Sequence, residues 1–93
     1  MKIREQAKAR AAESFEIFSF KMECLKDDVT ADPIYSQDIW TEYQRWRKKY
    51  RLKPSVYRYR SFSKVLGGER VVVWNPKIEG TQRAIVGKRL RSV

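Results

Sequence analysis

Residues 36–90 read SQDIWTEYQRWRKKYRLKPSVYRYRSFSKVLGGERVVVWNPKIEGTQRAIVGKRL, two short amphipathic runs followed by a β-branched, Gly-punctuated pair of extended runs. Ser36 suits an N-cap, Asp38 complements the positive end of a helix dipole, and Ile39, Tyr43, Trp46 and Tyr50 recur at four, three and four. The last turn of that helix carries Arg45, Arg47, Lys48 and Lys49, favourable at the negative end of the dipole and expected to display charge outward. Leu52 and Pro54 end it. In the next run Ser55 offers a cap, Phe62, Val65 and Leu66 a buried edge, and Gly67-Gly68 a stop, so a further helix is expected to start between Ser55 and Tyr57. Val56 to Arg60 alternates apolar or aromatic with basic residues, which also suits an extended piece with the helix beginning near Ser61. Arg70 to Trp74 and Thr81 to Val86 then form a hairpin across Asn75-Pro76 and Glu79-Gly80, with a basic tail from Gly87.

Upstream, Ile3 to Leu25 favours a helix whose apolar stripe is Phe15, Phe18, Met22 and Leu25, with Ile17, Phe20 and Cys24 as a second stripe beside it. So wide a face serves a central position under the other elements, and leaves room for a homodimer contact as well. Asp27, Asp28 and Asp32-Pro33 favour a loop after it, and Ile34-Tyr35 a strand stub.

The charge divides sharply. Up to Tyr35 there are 6 Lys/Arg against 7 Asp/Glu, and from Ser36 onward 15 against 4, giving the formal +10 and a pI near 10.1. A balance this basic fits nucleic acid, an anionic membrane surface or an acidic protein. With 93 residues the chain reads as one domain, an N-terminal helix and loop over 1–31, a helix-turn-helix over 34–67 and a wing over 69–90. A 42% hydrophobic share argues for a folded core, and the lone Cys24 excludes an intramolecular disulfide and suits a reducing, cytoplasmic setting. The start MKIREQAKAR leads into no apolar run of signal or membrane length, so neither export nor a membrane partner is expected. There is no His, no nucleophile–base pair, no Gly-rich phosphate loop and no metal-ligand spacing, so neither catalysis nor a cofactor or metal is expected.

Helix, strand stub, helix, turn, helix and hairpin is the element order of a winged helix-turn-helix, an α+β fold in which the third helix enters the major groove and the hairpin grips the flank. The residues also resemble a family. YSQDIWTEYQRWRKKY, KPS, SFSKVL and AIVGKRL, spread from Tyr35 to Leu90, are similar to the winged-helix domain at the C-terminus of phage, plasmid and poxvirus-type primase-helicase replication proteins. Ser36, Tyr43, Trp46, Ser55, Phe62, Leu66 and Leu90 match the family's capping, core and closing positions, while the gap from Ser55 to Phe62 is longer. The resemblance implies origin or operator recognition on double-stranded DNA beside a helicase or primase module.

For base reading the candidates are Tyr57, Arg58, Arg60, Ser61 and Lys64, which the buried edge of the third helix does not use. Lys77, Gln82, Arg83, Lys88, Arg89 and Arg91 are candidates for phosphate or minor-groove contact from the wing and tail. The run Arg47, Lys48, Lys49, Arg51 and Lys53 lies where backbone phosphates pass in this docking geometry. Trp40, Tyr43, Trp46 and Trp74 suit either single-strand stacking or, at helical spacing, the core. Two alternatives share the same charge: an RNA-binding or ribosome-associated domain using Tyr57, Tyr59 and Trp74, and a module that docks a helicase or polymerase.

Overall fold

The Ala-rich opening and the absence of any early breaker let the first helix run 22 residues, α1 from Ile3 to Cys24. The computed structural model describes residues 3–90, with side chains from Lys8 onward. After α1 come β1 (Leu25–Asp27), β2 (Ile34–Tyr35), α2 (Ser36–Lys49), α3 (Tyr59–Leu66), β3 (Glu69–Asn75), β4 (Gly80–Val86) and β5 (Lys88–Leu90). The class is α+β, three helices with antiparallel strands. No described helix is long and apolar enough to cross a membrane.

Aromatic packing centres the molecule. Phe20 of α1 meets the Tyr43 ring of α2 edge-on at 5.2 Å, and Tyr43 stacks on Phe62 of α3 at 4.6 Å. Ile17, Ile39, Leu66 and Ile85 close around them, so every helix and the sheet contribute to one cluster. Truncating Phe62 to Ala in such a site costs about 3–5 kcal/mol.

The inward face of α1 is a correction to the expected one. Ile17 and Phe20 are buried, whereas Phe15, Phe18 and Met22 point to solvent. Glu13 decides the matter. It shares the Ile17 and Phe20 side, and its carboxylate accepts hydrogen bonds from Tyr43 Oη at 2.7 Å, from the Val56 N–H at 2.8 Å and from Ser55 Oγ. Rotating the Phe15 stripe inward would strand all three donors, at a cost of about 1–3 kcal/mol each.

Two helix starts also differ. Ser36 is buried within α2, whose N-cap is Tyr35, and Ser55 spends its hydroxyl on Glu13 rather than on a helix terminus. As a result α3 begins later than expected, at Tyr59, with Arg58 as N-cap. Arginine has no acceptor, so the Ser61 hydroxyl does the capping, accepting from the Arg58 N–H at 2.9 Å and donating to the Arg58 carbonyl at 3.1 Å.

The hairpin forms as its β-branched composition suggests. β3 pairs β4 from Glu69 opposite Val86 to Asn75 opposite Gly80, and β2 adds to the far edge of β4, giving the order β2-β4-β3. Gly68 makes the junction from α3 possible: at φ +88 a side chain is strained, and a Cβ there would lie 3.2 Å from Ile85 Cγ2. A second sheet, invisible in the sequence pattern, arises where Gly87 turns the chain at φ +77 and sends β5 back along β1, with Leu25 opposite Leu90 and Asp27 opposite Lys88.

Candidate nucleic-acid interface

On α3 the buried edge is Phe62, Ser63 and Leu66, which leaves Arg60 and Lys64 exposed one turn apart on the opposite side. Arg58 is exposed at the start of the same helix. These three cations form the outward surface of α3.

Ser61 is half-buried and its hydroxyl is engaged in the cap. Tyr57 is a correction: it belongs to the core cluster, its hydroxyl donates to the Arg10 carbonyl of α1 at 3.1 Å, and the Arg10 guanidinium lies over its ring at 5.7 Å. Its burial follows from the bend at Val56 and Tyr57, where the Tyr57 N–H donates to Ser55 Oγ at 3.1 Å, and it removes Tyr57 from any base-reading set. Tyr59 is half-buried.

The hairpin stands beside this helix, and its register fixes what faces it. Arg70 pairs with Ile85, Val72 with Arg83 and Trp74 with Thr81, so these six residues share one face. Ile85 lies in the core and Arg70 Nη2 donates to the Ser63 carbonyl of α3 at 2.6 Å, which identifies this as the helix-facing side. Towards the turn the helices no longer cover it. Arg83, Val72 and Trp74 are therefore exposed there, Trp74 at 62%.

Lys77 is exposed at the turn, where its backbone N–H is held by Asn75 Oδ1 at 3.0 Å. Gln82 lies on the other face and accepts from Asn75 Nδ2 at 2.7 Å, a bond that secures the turn. Lys88 forms an ion pair with Asp27, and Arg89, exposed, is 3.9 Å from Asp28. Arg91 lies outside the described residues. Arg70 and Val72 were not among the expected candidates, although strict alternation along β3 puts them on the face of Trp74.

In the basic run between α2 and α3, Lys48, Lys49, Arg51 and Lys53 are exposed. Arg47 is a correction. At 4% exposure it points inward, donating to the Lys53 carbonyl from Nε at 2.9 Å and Nη2 at 2.5 Å, and from Nη1 to Glu16 at 3.0 Å and Tyr43 Oη at 2.9 Å. Glu13 is 3.9 Å away. Burial pulls the guanidinium pKa down, but the hydrogen bond to Glu16 and the nearby Glu13 carboxylate outweigh it and hold the group protonated. It joins α1, α2 and the loop, and offers nothing to a phosphate.

Trp40, Tyr43 and Trp46 belong to or pack on the core, with Trp46 Nε1 donating to Glu23 at 2.6 Å. Of the four stacking candidates only Trp74 is exposed. Among the described residues no group of three or more His, Cys, Asp or Glu side chains could hold a metal ion. Compared with protein-family models, curated proteins and solved structures, the chain finds no match in any of the three.

Proposed function

We propose that the chain is a winged-helix domain that binds double-stranded DNA, with α3 in the major groove and the β3–β4 hairpin as the wing on the flank. The observation that carries this reading is the pairing of exposed Arg58, Arg60 and Lys64 on α3 with exposed Arg83 on the helix-facing side of the adjacent hairpin. The Arg70 bond to Ser63 and the Gly67-Gly68 junction link the two elements. Supporting it further are the sheet order β2-β4-β3 and the net charge of +10. Arg58 and Arg60 read guanine edges, and Lys64 reads bases or steadies the register. Lys77, Arg83, Lys48, Lys49, Arg51 and Lys53 hold phosphates. With its likeness to primase-helicase C-terminal domains, the target is a replication origin or operator of a mobile element, and the partner a helicase or primase module.

Selection of bound duplexes from a random pool, repeated at two salt concentrations, tests it. A converged motif is expected, with log affinity falling against log salt at a slope near −5 if about six phosphates are neutralised. Arg60→Ala should relax the motif at one position, at about 1–3 kcal/mol, whereas Arg83→Ala should weaken all sequences alike. A flat salt response overturns the proposal.

Exposed Trp74 beside Arg83 favours a second reading, stacking of unpaired bases in RNA. Competition between duplex DNA and structured RNA of equal length separates the two, and Trp74→Ala should weaken only RNA binding.

A further inference from the structure

Phe15, Phe18 and Met22 are 76%, 61% and 66% exposed, the most exposed large apolar side chains on any described helix. With Ala11 ahead of them they fall at spacings of four, three and four, the a/d seam of a two-stranded helical pair. At 100° per residue this seam lies roughly 160° around α1 from the line of Glu13, Ile17, Phe20 and Cys24 that faces the core. Each α1 thus has one apolar stripe for its own domain and a second, opposite one left over.

The size of the seam suits association. Two Phe and a Met so exposed present on the order of 400 Å² of apolar surface per copy, in the range of functional patches on monomers. Two such faces, with exposed Ala12 and Ser19 and half-buried Ser14 beside them, reach roughly 1,200 Å² in total, the lower end of specific interfaces.

We infer that a second copy of the chain covers this face, the two α1 helices running antiparallel about a two-fold axis between Phe15 and Phe18. In that register Phe15 of one copy meets Phe18 of the other, and Ala11 meets Met22, small against large. In the same register Lys8 of one copy falls opposite Leu25 of the other. A parallel pair would instead set Lys8 against Lys8. Charge also selects this part of the molecule: the segment up to Tyr35 is net −1, so it is where two +10 chains meet at least cost. The cationic halves then lie on opposite sides of the helix pair, about 20 Å apart across two helix diameters and beyond a Debye length of about 8–10 Å.

Resting on the reading as a duplex binder, the same axis presents two α3 helices to an inverted repeat. Sedimentation equilibrium of the full chain without nucleic acid tests the pairing itself. The expected mass is twice 11.1 kDa at tens of micromolar. Phe18→Glu should bring it to a single copy with an unchanged circular dichroism spectrum. A single-copy mass for the wild type, or a doubled mass that survives Phe18→Glu, overturns the inference. A doubled mass in a protein that retains no duplex supports the pairing and counts only against the DNA reading.

Discussion

Arg47 and Lys48 are neighbours in sequence and opposites in role. Arg47 is buried beside Glu13, with side-chain exposures of 5% and 4%, while Lys48 faces solvent. Removing Arg47 leaves the buried Glu13 carboxylate without the guanidinium 3.9 Å away. Arg47→Ala should therefore cost about 3–5 kcal/mol in urea unfolding, the usual penalty for removing one partner of a buried pair. Lys48→Ala should stay within about 0.5 kcal/mol and lower only nucleic-acid affinity. Composition alone cannot tell these two cations apart. The distinguishing signal is spacing: Arg47 follows Tyr43 by four positions on the buried side of α2, a placement hidden in a run where every residue is basic.

At the scale of elements, the small β1–β5 sheet carries two ion pairs on its surface, Lys88 with Asp27 and Arg89 with Asp28. The Lys88 hydrogen bond and charge lower the Asp27 carboxyl below its ordinary range, and Thr30 hydrogen bonds do the same for Asp28. Hydrogen bonds from Trp46 and then Tyr50 lower Glu23 at the end of α1. Each folded value lies below the unfolded one, so this stabilisation is complete above the unfolded carboxylate values near 4 and is lost as pH falls through the folded ones. The melting temperature should be level from pH 7 to about 5 and fall below about pH 4, and Asp27→Asn should flatten part of that fall. Melts across this range check it. The sheet itself could not be read in advance, because three-residue strands carry no period and their partners lie more than 60 residues apart. By contrast α2 was legible through Ile39, Tyr43 and Trp46, and β3 through Val71-Val72-Val73, since one strong periodicity or propensity governs each. On α1 two apolar stripes competed, and the choice fell to the hydrogen bonds of a single glutamate. Of the proposed interface, the exposure of Arg58, Arg60, Lys64 and Arg83 followed from which neighbours are apolar, while the face of the hairpin that carries Arg83 needed the register.

For the molecule as a whole, the excess of +10 is a steady repulsive load on the folded state. Added salt screens it, so the melting temperature of the free protein should rise between about 50 and 300 mM NaCl while duplex affinity falls. Calorimetry alongside binding isotherms would show the two trends moving in opposite directions, and a melting temperature that falls with salt would mean that favourable ion pairs outweigh the repulsion. The clasp of β5 on β1 has a temporal consequence. It joins Leu25 to Leu90, and β2 reaches β4 through Ile34 opposite Ile85 and Tyr35 opposite Ala84, so the sheets depend on encounters far apart in the chain. Closure entropy delays such encounters. The helical trio should collapse early around Phe20, Tyr43 and Phe62, with the clasp shutting last, and during synthesis a chain not yet extended to β5 would hold a formed core beneath an open flank.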